Sequence, residues 1–274
     1  MEKERVDLLV VQQGLTDSRE KAKRLVMAGQ VVDAKTHVRY DKPGEKLPIT
    51  TELLIKGETL RYVSRGGLKL EKALQEFDVS VQNKILLDIG SSTGGFTDAA
   101  LQHGAKLCYA LDVGYNQLDY KLRQDERVVV MERVNFRYSQ ADDFDRGLPT
   151  IASIDVSFIS LRLILPVLAT ILVPQGDVLM LIKPQFEAGK DRVGKKGIVR
   201  DLRVHQEVLE EVLQFAQGLG YVVRGLTYSP ITGGSGNIEF LAHVTFTQEM
   251  GTWTSELQQQ IIEVVQQAHE TLKK

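Results

Sequence analysis

The chain has 274 residues, 43% hydrophobic and 26% charged, with a net charge of −2. That is enough apolar material for one full domain and a smaller one, while a near-neutral balance removes any argument for nucleic acid from net charge alone. The one cysteine, Cys108, excludes an internal disulfide, and the uncharged stretch of residues 163–176 is broken by Pro166 and Pro174 and is shorter than the ~20 apolar residues of a membrane-spanning helix.

The opening Met1-Glu2-Lys3-Glu4-Arg5 leads into an amphipathic pattern, not the apolar core of a signal peptide. Residues 3–13 read as a helix with Val6, Leu9 and Val10 on one face and Gly14 as its stop. Ser18 reads as the N-cap of a second helix, Arg19 to Ala28, closed by Gly29. Leu25 and Val26 face inward there, leaving Arg19, Lys21, Lys23 and Arg24 outside. Short strands follow at residues 30–32, near Val38 and at 53–55. A helix-helix-hairpin unit of this size has little core of its own and reads as an appended module. Lys and Arg outnumber Asp and Glu in residues 1–72 and again in 183–203. Two mildly basic segments are a weak nucleic-acid signal, and ordinary solvated surface explains them as well.

From about residue 84 strands alternate with helical segments, which predicts an α/β, doubly wound parallel sheet. Strands are expected at 84–89, 107–112, 128–131, 151–156 and 178–182, and helices at 96–103 and 202–219. Residues 221–226 and 238–246 are a closing strand pair, and 252–272 a last, Gln-rich helix. The segment 187–200 has no apolar periodicity and reads as an exposed, flexible loop. Cys108, inside the run Leu107–Leu111, reads as a buried residue of a protein kept in a reducing compartment.

The first of these strands ends in Asp88-Ile89-Gly90, followed by Ser91-Ser92-Thr93-Gly94-Gly95 and a helix. Glycines at a strand-to-helix turn let a ligand approach the backbone. The spacing G-x-x-x-G-G departs from the dinucleotide pattern G-x-G-x-x-G. A carboxylate at Asp88 suits a cationic sulfonium cofactor, and Asp112, ending the second strand, is placed for ribose hydroxyls. S-adenosylmethionine therefore fits better than a nicotinamide dinucleotide. Tight helix packing alone is the competing explanation of the glycines.

Asp155 and Lys183 end the strands at 151–156 and 178–182, where open parallel sheets bind ligands. Glu239 starts an apolar strand, where a carboxylate needs a partner, and Lys69 follows Arg65-Gly66-Gly67-Leu68 just before the sheet. Each alone also reads as a solvated cap or a local ion pair. Together, alternating cations and anions at one sheet edge form a network able to activate a weak nucleophile such as a ribose hydroxyl. Lys183 is the expected base, Asp155 its orienting partner, and Lys69 and Glu239 the residues that fix the target ribose. The five histidines show no metal-ligand spacing.

These segments carry a resemblance. Residues 64–70, 88–98, 155–160 and 183–187 are similar to the TlyA family of ribosomal-RNA ribose 2′-O-methyltransferases, historically labelled haemolysin A. The resemblance covers about residues 3–247. It implies a cytoplasmic enzyme with a small N-terminal α+β RNA-binding domain of the α-L type over residues 1–60, a linker over 61–66 containing Tyr62, an FtsJ-like, Rossmann-like class I methyltransferase domain over 67–247, and a C-terminal helix over 248–274. The family's Lys-Asp-Lys-Glu set falls on Lys69, Asp155, Lys183 and Glu239. S-adenosylmethionine would be held by Asp88, Gly90, Ser91, Ser92, Thr93, Gly94, Gly95, Phe96, Asp112, Val113, Asn135 and Asp155. Arg5, Arg19, Lys23, Arg24 and Arg65 would contact RNA, salt-dependently and with little regard to sequence. The partners implied are ribosomal RNA and ribosomal subunits, with cytidine as the target, no membrane and no metal. A membrane-active haemolysin and a non-enzymatic ribosome assembly factor are the rival readings.

Overall fold

A computed structural model describes residues 2–27, 29–56, 61–194, 196–233 and 236–272. Ala28, the expected end of the second helix, and residues 57–60, the expected end of the first domain, lie outside the described residues. The chain forms two compact units, residues 1–61 and 62–274.

In the first unit, β1 (Lys3–Arg5), α1 (Val6–Gln12), α2 (Arg19–Met27), β2 (Val31–Asp33), β3 (Arg39–Tyr40), β4 (Lys46–Pro48) and β5 (Leu53–Ile55) follow one another. The single helix expected over residues 3–13 is therefore a strand and then a helix. Lys3-Glu4-Arg5 brings no apolar residue to extend the stripe of Val6, Leu9 and Val10. Its backbone is satisfied instead by antiparallel pairing with β4. The order β3-β2-β5 makes a second small sheet. Val6, Leu9, Val10, Leu25, Val26, Val31 and Leu53 form the core. Asp7, which no spacing singles out, is fully buried and accepts from Arg5 Nε at 2.9 Å and Arg19 Nε at 3.0 Å. These two arginines hold its carboxyl below the usual carboxylate range against the opposing effect of burial.

The second unit runs α3 (Gly66–Glu76), β6 (Ile85–Ile89), α4 (Gly95–Gln102), β7 (Leu107–Asp112), α5 (Tyr120–Arg123), β8 (Val128–Glu132), β9 (Ile151–Ile154), α6 (Leu165–Leu168), β10 (Gly176–Ile182), α7 (Pro184–Glu187), α8 (Leu202–Gly218), β11 (Tyr221–Tyr228), β12 (Phe240–Phe246) and α9 (Ser255–Leu272). The strands form one sheet in the order β11-β12-β10-β9-β6-β7-β8. β10, β9, β6, β7 and β8 are parallel, and β12 and β11 complete the sheet antiparallel. The order reverses between β6 and β9, which is where an open α/β sheet leaves a crevice outside its strand ends. Both faces are covered, as continuous apolar strands require. Leu70, Ala73, Phe96, Leu101 and Leu122, from α3, α4 and α5, pack on one face. Leu165, Val208, Leu213, Ile261 and Val265, from α6, α8 and α9, pack on the other. A buried histidine pair, His205 Nδ1 to His269 Nε2 at 2.8 Å, joins α8 to α9. Among the described residues no helix is long and apolar enough to cross a membrane.

Three boundaries differ from expectation. Lys69 sits on the inner side of α3 rather than in a lead-in to the sheet. The second antiparallel strand begins at Phe240, so Glu239 is the last residue of the preceding loop. Residues 187–200 are not a bare exposed loop. The Glu187 carboxylate accepts from Ser160 Oγ at 2.6 Å and from Leu161 N at 2.8 Å, and Ala188 and Val199 are buried. These ties run from side chain to distant partner, so they leave no periodicity in the sequence.

Candidate active site

β6 is followed by Gly90, whose φ of +86° opens the turn. A Cβ there would lie 2.6 Å from the carbonyl oxygen of Asp155, so only glycine lets the turn lie against the end of β9. Gly94, at φ +93°, starts α4, and a Cβ on it would strike Leu122 at 2.2 Å. Pro184 occupies the first turn of α7, where its missing N–H costs nothing. Its ring keeps Lys183 extended at φ −109°, ψ 102°. These local constraints bring the ends of β9 and β10 to the same mouth as the glycine turn.

The four candidate catalytic side chains meet there in a row. Glu239 Oε2 accepts from Lys69 Nζ at 2.7 Å, Lys69 Nζ reaches Asp155 Oδ2 at 3.4 Å, and Asp155 Oδ1 accepts from Lys183 Nζ at 2.5 Å. They come from α3, the residues that directly follow β9 and β10, and the loop before β12, up to 170 residues apart in the chain. Lys69, Lys183 and Glu239 are buried, and the two cations and two anions balance, as buried charges require. Burial opposes the charge on Lys69, but Asp155 and Glu239 together hold its ammonium above its ordinary value. Burial likewise opposes ionisation of Asp155, and Lys183 and Lys69 overcome it, holding the carboxyl below the usual range.

All four line one cavity of about 650 Å³, with Arg65, Gly90, Ser91, Ser92, Thr93, Gly95 and Phe96. A second cavity of about 330 Å³ shares Gly90, Ser92 and Asp155 with the first and adds Asp112, Val113 and Asn135. Asp112 is anchored at the turn: its carboxylate accepts from Ser92 N at 2.8 Å and from Gly114 N at 2.7 Å. Ile89, Leu111, Val134, Phe136 and Ile164 give this second cavity apolar walls. An apolar slot with a fixed carboxylate at its edge suits a nucleoside, with the base against the walls and ribose hydroxyls on Asp112. Gly94 lines neither cavity and serves the turn alone.

Asp88 is placed elsewhere than the sequence reading has it. Its carboxyl is fully buried, accepts from Thr97 Oγ1 at 2.7 Å and Ser153 Oγ at 3.0 Å, and lines neither cavity. It ties β6 to α4 and β9. Burial pushes the group up to about 7 despite the two hydroxyl bonds. The folded protein thus keeps this proton to higher pH than the unfolded chain, whose carboxyl titrates near ~3.9. The contribution of this group to stability is fullest below that value, falls as pH rises through the interval, and is level above about 7. Asp88→Asn is expected to remove a slope of about 1.4 kcal/mol per pH unit. Thermal denaturation of both proteins from pH 5 to 8 measures it, and parallel curves would contradict a buried proton at this position.

Several lining residues are not singled out by the sequence reading, four of them beside the catalytic row. Ser157 Oγ accepts from Lys183 Nζ at 3.2 Å, and Gln185 Nε2 lies 3.5 Å from Glu239 Oε1. Phe158, at φ +63° and 91% exposed, stands at both cavities with its ring 5.0 Å from that of Phe186. Their nearness to Asp155 and Lys183 in the chain was the available signal. Arg65 lines the catalytic cavity, whereas Arg5 and Arg19 belong to the first unit, where they hold Asp7. Lys23 pairs with Glu20 at 2.6 Å on the same helix, and Arg24 lies one residue further along it. Tyr62 is buried in the second unit, its hydroxyl 3.0 Å from Glu71. Among the described residues no group of three His, Cys, Asp or Glu is placed to hold a metal ion.

Comparison with known proteins places this arrangement. Residues 62–246 match the family model described as "FtsJ-like methyltransferase". The chain is 62% identical over 272 residues to "Putative rRNA methyltransferase YqxC" of Bacillus subtilis (strain 168), covering 99% of this chain and 96% of that one. It is 41% identical over 238 residues to "16S/23S rRNA (cytidine-2'-O)-methyltransferase TlyA" of Mycobacterium tuberculosis, covering 86% and 87%. A solved structure titled "Putative hemolysin from Streptococcus thermophilus" shares 60% identity over 100% of this chain and 98% of that chain, with a TM-score of 0.79. A family match spanning the whole sheet and the four convergent side chains, with relatives this close along nearly the full length, makes the chain a member of the FtsJ-like methyltransferase family, in its TlyA group.

Proposed function

We propose that this enzyme methylates the 2′-hydroxyl of a cytidine ribose in ribosomal RNA, using S-adenosylmethionine. The observation that carries the reading is the row Glu239–Lys69–Asp155–Lys183 in a cavity that shares Gly90, Ser92 and Asp155 with a nucleoside-shaped slot. S-adenosylmethionine, when bound, supplies a methyl group on a positively charged sulfur. The apolar slot and Asp112 fit its adenosyl part, with Val113 and Asn135 at the same slot, while Ser91, Thr93, Gly95 and Phe96 line the cavity where its methionine end would lie. Lys183 Nζ is the proposed acceptor of the 2′-hydroxyl proton. Asp155 and Ser157 set where that nitrogen stands, and Lys69 with Glu239 orients the ribose through hydrogen bonds. Positioning supplies the rest of the rate.

The first unit is the proposed RNA-docking module. Arg5 and Arg19 keep side-chain exposures of 37% and 47% while bonded to Asp7, so phosphate can reach the same guanidinium groups. Lys23, Arg24 and, in the second unit, Arg65 add cations. Phe158 offers an exposed ring at the mouth, suited to stacking on a base that has left its own stack. Phe158→Ala is expected to raise KM for RNA about tenfold, in line with the ~1–3 kcal/mol of one base stack. Steady-state kinetics at saturating S-adenosylmethionine measures it, and an unchanged KM removes the ring from recognition.

Labelled S-adenosylmethionine, incubated with purified protein and ribosomal subunits lacking ribose methylation, tests the function directly. Ribose-linked label at cytidine is the expected result. Absence of label with intact subunit binding would leave an assembly factor instead.

A further inference from the structure

We infer that Lys196 holds a phosphodiester beside the target ribose, an inference that rests on the RNA-methylation reading above and adds a substrate contact to it. The four catalytic charges neutralise one another in a closed row. None of them is spare for the phosphates that a ribose within a polynucleotide brings with it on either side. Lys196 is exposed and lines the same cavity.

The segment that carries it is fastened by a single buried side chain. Asn237, 4% exposed, donates from Nδ2 to Gly197 O at 2.8 Å and accepts at Oδ1 from Val199 N at 3.0 Å. Gly197 N to Gly194 O and Gly194 N to Ile198 O, both 3.1 Å, hold Gly194 against Gly197 and Ile198 in a turn. Lys196 sits in that turn at φ +71°, a conformation an L-residue keeps only where its surroundings impose it. Asn237 also lines the cavity and stands two residues before Glu239. One side chain therefore sets the height of the Lys196 turn relative to the carboxylate that grips Lys69. A lone ammonium on a fastened turn, facing the catalytic cavity, matches a phosphate as a point charge.

The full-length protein with Lys196→Ala, assayed on ribosomal subunits across a series of potassium chloride concentrations, tests this. KM for subunits is expected to rise roughly tenfold with kcat within about twofold, and the slope of log KM against log salt to fall by about one. Lys196→Arg is expected to restore both, and affinity for S-adenosylmethionine to stay unchanged in each variant. A wild-type KM and salt slope in Lys196→Ala would overturn the assignment. Should the wild-type protein transfer no methyl group, the enzymatic reading fails by itself. Binding of fluorescein-labelled single-stranded RNA then decides the contact: weaker, less salt-sensitive binding by Lys196→Ala supports it, and equal binding overturns it.

Discussion

Lys183→Ala is expected to abolish detectable methyl transfer while the protein stays folded and binds S-adenosylmethionine normally. The loss expected from removing a positioned proton acceptor is about 10²–10⁴ in kcat. The fold should tolerate the change because Asp155 is not stranded: Lys69 Nζ remains 3.4 Å from its other oxygen. Cofactor binding should tolerate it because Lys183 does not line the slot around Asp112 that is proposed to hold the adenosyl part. Single-turnover transfer and calorimetric titration on the same preparation separate these claims. Turnover near wild type would remove Lys183 from the mechanism, and lost cofactor affinity in a folded variant would give it a different role.

Asp155→Ala is expected to have the larger effect on stability, about 3–5 kcal/mol in urea unfolding at pH 7. Asp155 is the one carboxylate bonded to both lysines. Without it Lys183 Nζ keeps only the Ser157 hydroxyl as a described hydrogen-bond partner, and two buried lysines face one remaining carboxylate. Because the native row holds the Asp155 carboxyl below its ordinary value, its stabilisation is complete above the unfolded value of ~3.9. It is lost only as pH falls through the folded one. The gap between wild type and variant should therefore be constant from pH 6 to 8 and narrow in acid. A gap under about 1 kcal/mol would mean that the row contributes little beyond its own desolvation.

Much of the second unit is legible in the sequence because its elements are locally determined. The runs 85–89, 107–112 and 178–182 are apolar enough to be strands buried on both faces. The glycine turn announces itself by spacing, and Asp155 and Lys183 stand out as charges closing apolar strands. The first unit is less legible. Nothing within Lys3-Glu4-Arg5 says that its partner is Lys46–Pro48, since a strand pair is written in two places and read in neither alone. Motif resemblance could name Lys69 and Glu239 as candidates. Only the path of α3 and the close of the loop before β12 bring them within 2.7 Å.

Asp88 shows the limit in the other direction. By spacing it is a ligand of the cofactor, and by burial it is a protonatable tie between β6, α4 and β9. The partners of Asn237, Ser157 and Glu187 are written in no pattern, because they are groups 26–40 residues away. What the amino-acid sequence determined unaided was the set of elements and the chemical kind of the site, since periodicity, turn residues and stranded charges are properties of short segments. Which charges touch, which face solvent and which side chain fastens the mouth of the cavity were decided only when the chain closed on itself, because burial and the partner of a charge are properties of distance in space.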